Sequence, residues 1–253
     1  MSAEKTDAIV IRSVDFSETS SIVTFFSREF GKLSTLAKGA RRKKGPFESA
    51  LDLLATCRIV FLHKSNDALD LLTEAKLVNR LRASEVDLHR LYAGYYFAEL
   101  LQNLTDEMDP HPELYDVTLE SLRLLEDGEV LYEPVVLRYE LTVLRETGHL
   151  PSLRQCVGCG QGISSTGRVA FGLIAGGVLC PTCRAGHRRL VSLRHEVLSV
   201  INDFSDPKSD AWRNALEYRE YEKEIRPLIN SYLTHLLGKK MRLHRFLPIL
   251  GKV

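Results

Sequence analysis

The chain has 253 residues, 44% of them hydrophobic, and its formal net charge is only +1. This composition is sufficient for a buried core and predicts an ordinary soluble protein, and no apolar run reaches the roughly 18 residues of a membrane-spanning helix. The N-terminal segment MSAEKTDAIV lacks the pattern of a secretion signal, so we expect a cytoplasmic protein without a membrane partner.

Positive and negative residues are segregated along the chain. The formal charge is +3 over residues 1–80, −10 over residues 81–150 and +8 over residues 151–253. Blocks of opposite sign favour different partners for the middle and for the ends of the chain. A solvated acidic helix face is the alternative explanation of the middle block.

Short β-rich runs separated by polar turns dominate the first 80 residues. The five runs are AIVIRSV, SSIVTFF, KLSTLA, ATCRIVFL and ALDLLTEA, and REFGK, with Gly31, fits a turn between the second and the third. Five short strands, with no helical periodicity between the early ones, are typical of a small barrel such as the OB-fold. An SH3-like barrel would give a similar pattern.

The third run is followed by KGARRKK, residues 38–44, hereafter the basic segment, which holds five positive charges and no acid. Clustered like charges repel unless an anion is near, and a nucleic-acid backbone is the obvious polyanion. We therefore predict a DNA-binding loop, and a solvated loop that only aids solubility is the alternative. The predicted contacts are Lys38, Arg41, Arg42, Lys43 and Lys44, extended by Arg12, Arg28 and Lys32 if these share one face.

Aromatic side chains on the barrel could add base stacking to these charges. The candidates are Phe16, Phe25, Phe26, Phe30 and Phe47, although most of them must fill the barrel interior.

Beyond residue 80 the apolar residues recur at helical spacing. The pattern predicts helices at about 84–104, 112–125 and 131–147, and two or three more between residues 192 and 250.

Two CxxC pairs interrupt the helical region. Cys156 and Cys159 are separated by 20 residues from Cys180 and Cys183, which is the arrangement of a zinc ribbon. Four thiolates fill a tetrahedral shell, so the predicted Zn²⁺ is structural and not catalytic. Metal-free thiols, a redox pair and an iron–sulfur centre are the alternatives, and His187 could replace one cysteine.

These elements predict an α+β multidomain protein: an N-terminal OB-fold β-barrel followed by an α-helical domain that carries a zinc-ribbon-like insert with four cysteines. The predicted boundaries are 1–80 for the barrel, 81–150 for the first helical part, 151–190 for the zinc-binding segment and 191–253 for the second helical part.

Sequence motifs of catalysis are absent. There is no GxxxxGK[ST] loop, no GxSxG elbow and no HExxH helix. The acidic cluster of Asp106, Glu107 and Asp109 ends a predicted helix, where carboxylates commonly serve turns. We therefore predict that the protein is not an enzyme.

A second basic cluster lies near the C-terminus, in GKKMRLHRF. Its cations are Lys239, Lys240, Arg242 and Arg245. Because the cluster follows a predicted helix, it could simply stabilise the helix end, and DNA and an acidic peptide are alternative partners.

Three segments carry a family resemblance: DAIVIRSVDFSETSSIVTFFSREFGKLSTLAKGARR, then RYELTVLRETGHLPSLRQCVGCG with GGVLCPTC, then YLTHLLGKKMRLHRFL. Together they resemble the RecO family of bacterial DNA repair proteins, in the right order and over nearly the whole chain. The resemblance implies an N-terminal OB-fold, a helical C-terminal domain and a zinc-binding segment, which is complete in this chain.

The resemblance also implies an activity. Its parts are binding of single- and double-stranded DNA, annealing of complementary strands, and assistance to RecA, together with RecR, in replacing single-strand-binding protein (SSB). It assigns the DNA contacts to the basic segment and the zinc to the four cysteines. It further implies docking of the acidic SSB tail, for which the C-terminal basic cluster is better suited than the acidic residues 81–150. A zinc-stabilised protein-interaction scaffold with an incidental basic loop is the competing hypothesis.

Overall fold

The computed structural model describes residues 2–42, 45–47, 50–64, 69–163 and 166–247. The chain divides into two compact units, Met1–Val130 and Leu131–Val253. Among the helices of the described ranges, none combines the length and the apolar character needed to cross a membrane.

Five strands of the first unit close into a barrel in the order β1-β2-β3-β5-β4. Their bounds are Ser2–Asp15 (β1), Ser21–Ser27 (β2), Gly31–Ala37 (β3), Thr56–His63 (β4) and Asp70–Asn79 (β5). Neighbouring strands are antiparallel except β3 and β5, which are parallel and pair Thr35 with Asp70. A parallel pair requires a long connection, and the basic segment lies at the start of that connection.

Alternate residues of each strand fill the barrel interior. β1 contributes Ala8 and Val10, and β2 contributes Phe25. Because successive side chains of a strand point to opposite faces, Ile9 and Ile11 face outward, yet both are fully buried. Another element must therefore cover this part of β1.

Two helices pack against the outer face of the barrel, α1 (Leu88–Leu104) and α2 (Pro112–Glu126). The side chain of Gln102 in α1 donates a hydrogen bond to the main-chain carbonyl of Ile11. The ring of Tyr115 in α2 lies 6.3 Å from the ring of Phe26 on the outer face of β2. This part of the outer barrel face is therefore closed to any ligand.

Local sequence explains where these helices begin. The carboxylate of Asp87 accepts a hydrogen bond from the main-chain N–H of His89 at 3.2 Å and so caps α1. Pro112 occupies the first position of α2, where the proline ring is compatible with the helix and no N–H is required.

Two cations next to the β2–β3 turn form an ion pair and hydrogen bonds with the helical part of the same unit. Arg28 forms a bidentate pair with Asp116 of α2, with N–O distances of 3.1 and 3.0 Å. The ammonium group of Lys32 donates to the carbonyl of Gln102 at 3.2 Å and also to the carbonyl of Thr105. Both cations therefore stabilise the contact between barrel and helices.

Gly31 lies at this turn and leaves no room for a side chain. Its φ is +65°, and a Cβ atom would lie 1.8 Å from the carbonyl oxygen of Asp109. Gly39 shares the left-handed conformation, with a φ of +76°, but its Cβ would meet its nearest neighbours only at 3.7 Å.

We expect Gly31→Ala to lower the free energy of unfolding by about 2 kcal/mol more than Gly39→Ala does. Both variants have the strain of a left-handed alanine, and only the first forces the main chain of Asp109 to move. Urea denaturation of the two proteins measures the difference. Equal losses of stability would contradict the close approach at Gly31.

The second unit combines helices with a small sheet. The helices are α3 (Tyr132–Glu146), α4 (His195–Ser205) and α5 (Ala215–Leu237), and the strands are β6 (Arg168–Gly172), β7 (Gly177–Leu179) and β8 (Leu190–Arg194), in the order β7-β6-β8. α3 is the centre of this unit, and its Glu140 is fully buried. The guanidinium group of Arg226 in α5 forms an ion pair with that carboxylate, with an N–O distance of 2.9 Å.

The predicted α+β class is confirmed, with a five-stranded barrel before the helices and four cysteines close together in the second unit. α1 begins at Leu88 and not at residue 84, because residues 83–85 form a separate short 3-10 helix. The predicted boundary at residue 80 falls where strands give way to helices, whereas α1 and α2 belong to the same compact unit as the barrel. Strand β8 has no counterpart among the predicted elements.

Candidate nucleic-acid interface and metal centre

The basic segment follows β3 directly and lies at one end of the barrel. Lys38, Arg41 and Arg42 are exposed, whereas the predicted contacts Lys43 and Lys44 lie outside the described residues. Gly39 adopts a φ of +76°, which lets the chain turn sharply as it leaves the strand. The described part of the segment therefore presents its cations to solvent.

Arg41 ties the basic segment to the loop between β1 and β2. Its guanidinium donates to the carbonyl of Ser17 at 2.8 Å and pairs with the carboxylate of Asp15 at 3.1 Å. Its main-chain N–H donates to the carbonyl of Thr19 at 3.2 Å. The side chains of Arg41 and Asp15 remain 41% and 68% exposed, so water screens this pair and the guanidinium can also contact another anion.

The other predicted DNA contacts on the barrel fall into two groups. Arg12 is exposed on the half of β1 that leads into the β1–β2 loop, where it is paired in register with Thr24. Arg28 and Lys32 lie beside the β2–β3 turn, at the other end of that hairpin, and they contact helical residues. The structure thus brings Arg12 to the same end as the basic segment and does not bring Arg28 and Lys32 there. Any part of these three in DNA binding stays a prediction.

The five candidate stacking aromatics occupy different environments. Phe25, Phe26 and Phe47 are buried, and Phe30 packs against the core with its ring 5.3 Å from that of Phe61. Phe16, in the β1–β2 loop, is 59% exposed. Phe16 is therefore the candidate whose ring is available to a ligand.

The outer barrel face also carries an apolar row that the sequence analysis missed. Val14, Ile22 and Leu36 are partners in register across β1, β2 and β3, and none of them is buried. In β2 and β3 the alternation of Ile22 and Leu36 with interior residues was visible in the sequence, whereas the register shift between Val10 and Arg12 that brings Val14 to the same face was not. The row could also not be interpreted without knowing which part of the outer face the helices cover.

The four cysteines meet in the second unit. The sulfurs of Cys156, Cys159, Cys180 and Cys183 all lie within 4.8 Å of one another. The distance from Cys159 Sγ to Cys180 Sγ is 3.9 Å, far beyond a disulfide bond. Within the described residues this is the one cluster of His, Cys, Asp or Glu suited to a metal ion, and His187 is not part of it.

Tight turns orient the sulfurs. The main-chain N–H of Gly160 donates to the carbonyl of Cys156 at 2.8 Å. A Cβ atom on Gly158 would lie 3.1 Å from the Sγ of Cys183, so the glycine permits the two CxxC turns to approach each other. The antiparallel β6–β7 hairpin lies between the two CxxC turns.

Amide groups favour ionised sulfur at two of these positions. The main-chain N–H of Cys180 donates to Cys156 Sγ at 3.3 Å and lowers the pKa of that thiol to about 6. The main-chain N–H of Cys183 donates to Cys180 Sγ at 3.3 Å and lowers the pKa of Cys180. The hydrogen bond with Cys180, followed by those with Cys159 and Cys156, raises the pKa of Cys183 to about 12.

This donor set fits a metal ion. Four sulfurs placed tetrahedrally around an ion at about 2.3 Å are roughly 3.8 Å apart, close to the observed 3.9 Å between Cys159 and Cys180. Thiolates gathered this closely repel one another, and a bound cation would offset the repulsion and favour ionisation of all four. The arrangement is therefore compatible with a structural metal site.

The C-terminal basic cluster follows α5. Lys239, Lys240, Arg242 and Arg245 are exposed. The guanidinium of Arg245 lies 4.6 Å from the ring centre of the partly exposed Phe246. The cluster thus combines positive charge with an accessible aromatic ring.

Two family profiles match the chain. The profile described as "Recombination protein O N terminal" matches residues 1–81, and the profile described as "Recombination protein O C terminal" matches residues 85–245. The chain belongs to the RecO family. The N-terminal RecO profile spans the basic segment, and the C-terminal RecO profile spans both CxxC pairs.

Individual RecO proteins are similar to this chain over nearly its whole length. The DNA repair protein RecO of Rhodopirellula baltica is 40% identical over 265 residues, which cover 95% of this chain and 97% of the relative. The RecO protein of Anaeromyxobacter dehalogenans is 31% identical over 252 residues, covering 99% and 98%. That of Listeria innocua is 27% identical over 251 residues, covering 98% and 95%. The predicted family resemblance is confirmed, and RecO membership supports a role in DNA repair and recombination.

Proposed function

We propose that this RecO-family chain is a DNA-binding recombination mediator. It binds single- and double-stranded DNA, anneals complementary strands, and assists RecA, together with RecR, on DNA coated with SSB. We take the closed barrel to be an OB-fold and the cytoplasm to be the compartment. The observation that carries the proposal is the cluster of exposed cations at one end of the barrel, in a chain whose relatives are named DNA repair proteins.

The proposed mechanism is electrostatic and needs no covalent step. Lys38 and Arg42 contact backbone phosphates, and Arg41 does so while it continues to hold the β1–β2 loop. Lys43 and Lys44 follow Arg42 directly in the sequence, and we assign them two further phosphate contacts. Neutralising phosphates on two strands lowers the repulsion that slows their annealing, and the displaced counterions make binding dependent on salt.

Zinc is the metal that we propose for the four cysteines. An all-sulfur tetrahedral set leaves no open position for water, so the ion would stabilise the fold and would not activate a substrate. The exposed cluster of Lys239, Lys240, Arg242 and Arg245 is our proposed contact for the acidic tail of SSB.

The salt dependence of DNA binding tests the proposal. Five phosphate contacts on a single strand predict a slope of about −3.5 in log K against log salt, from about −0.7 per contact. The test variant Lys38→Gln/Arg42→Gln removes two exposed cations and keeps Arg41, whose hydrogen bonds hold the loop. We expect its slope to be less steep by about 1.4.

A charge-matched control is available on α5. Arg219→Gln/Lys223→Gln also removes two exposed cations, in a helix segment that contains several acids. Its slope should equal that of the wild type. If both double variants change the slope equally, only the net charge matters and the basic segment is not the interface. Negligible binding of the wild type at moderate salt, with stable co-purification of a protein partner, would instead favour the scaffold hypothesis.

A further inference from the structure

The outer barrel face next to the basic segment combines apolar and positive side chains. Val14, Ile22 and Leu36 form a row in register across three strands, and Val14 is 42% exposed. The neighbouring row, in the same register, contains exposed Arg12. The β1–β2 loop that carries Phe16 follows directly after this half of β1.

Hydrogen bonds fix the main chain at Phe16, a residue that is 59% exposed. Its main-chain N–H donates to the carbonyl of Ser20 at 3.0 Å, and the N–H of Ser17 donates to the same carbonyl at 3.1 Å. Arg41 also donates hydrogen bonds to the carbonyls of Ser17 and Thr19 in the same loop. Because the main chain of the loop is already fixed, only the two side-chain torsions of Phe16 lose freedom when the ring binds a ligand.

The chemistry of this surface favours unpaired nucleotides over a protein segment. An aromatic ring and an apolar row suit the flat faces of bases, and the cations Arg12, Lys38 and Arg42 suit the phosphates between them. In a duplex the base faces are stacked inside the helix, so Phe16 could not reach them. The surface would therefore distinguish single strands from double strands.

We propose that Phe16 stacks on an unpaired base and that the row of Val14, Ile22 and Leu36 supports the neighbouring bases of a single strand. The inference rests on the proposed DNA-binding function and specifies which form of DNA this end of the barrel recognises. It assigns to Phe16 a role in affinity that is independent of charge.

The test compares Phe16→Ala with the wild type on a thymidine oligonucleotide and on a blunt-ended duplex of two complementary strands. We expect single-strand affinity to fall about tenfold, since loss of one stacked base is commonly worth that much or more. The slope of log K against log salt and the duplex affinity should not change. Leu216→Ala, which removes an apolar side chain 78% exposed on α5, is the matched control and should bind both DNAs like the wild type.

A second variant reports on the contact directly. Phe16→Trp should retain single-strand affinity, and the fluorescence of its new indole should be quenched by the thymidine oligonucleotide but not by the blunt-ended duplex. The wild type provides the background signal, because its one tryptophan, Trp212, is buried.

The outcomes separate this inference from the proposed function. Wild-type protein that binds neither DNA would overturn both. Normal wild-type binding with an unchanged single-strand affinity for Phe16→Ala, or with an equal loss on single strand and duplex, would overturn the stacking role alone. Thermal unfolding of each variant verifies that the exposed substitution leaves the fold intact.

Discussion

The double variant Cys156→Ser/Cys180→Ser should bind far less than one zinc ion per chain, whereas the wild type should bind one. The four sulfurs lie within 4.8 Å of one another, so the pair of serines removes half of a single ligand set. Elemental analysis of purified protein by mass spectrometry measures the zinc content. Zinc retained by the double variant at the wild-type level would contradict the site.

Loss of the metal should also unfold the segment around the cysteines. Its regular structure is short, with five residues in β6 and three in β7. We expect the proposed metal to stabilise this segment, since structural zinc supplies roughly 10–16 kcal/mol in small zinc-binding peptides. Limited proteolysis after chelation should therefore cut between residues 152 and 190, and a chelated protein as resistant as the untreated one would contradict this.

Cys57 provides the matched control for the thiol chemistry. It is fully buried in the barrel, and burial raises the pKa of its thiol to about 12, with Asp52 contributing further. Cys57→Ala should keep one zinc ion per chain.

The basic segment belongs to the first compact unit and the four clustered cysteines to the second. We therefore expect zinc-depleted protein to retain the wild-type salt slope for DNA binding.

The strands and most helices could be predicted because their local signals are strong. β2 is rich in β-branched and aromatic residues, namely Ile22, Val23, Phe25 and Phe26, and Pro112 marks the start of α2. The ends of β1 and β5 could not be predicted in the same way. β1 begins at Ser2 because its polar first residues pair with β4, where Ser2 lies opposite His63, and this pairing is remote in sequence.

In the candidate site, too, features set by neighbouring residues could be predicted, whereas contacts between residues far apart in the sequence could not. The clustering of charge in the basic segment and the spacing of the cysteines are local, and both could be read directly. The positions of Arg28 and Lys32 could not, because the hairpin reverses the chain and the partner of Arg28, Asp116, is 88 positions away. Likewise, periodicity shows that Phe26 faces outward but not that Tyr115 covers it.

Glu140→Ala should lower the free energy of unfolding of the second unit by about 3–5 kcal/mol. The side chains of Glu140 and Arg226 are 0% and 5% exposed, and the carboxylate lies 2.9 Å from the guanidinium. The variant removes the negative partner and leaves the arginine in a poorly hydrated environment. Urea denaturation followed by the fluorescence of Trp212, which lies in this unit, measures the change.

Two further variants decide whether burial or the ion pair itself causes the loss. Asp210→Ala breaks a pair with Arg213 in which the side chains are 85% and 54% exposed, and it should cost less than about 1 kcal/mol. Glu140→Leu/Arg226→Met removes both buried charges together and should recover most of the stability lost in Glu140→Ala, because the buried cation is removed with its carboxylate. If Glu140→Ala is no more damaging than Asp210→Ala, the buried pair does not stabilise the contact between α3 and α5. If the double variant is as unstable as Glu140→Ala, the loss arises from packing and not from the charge of the remaining arginine.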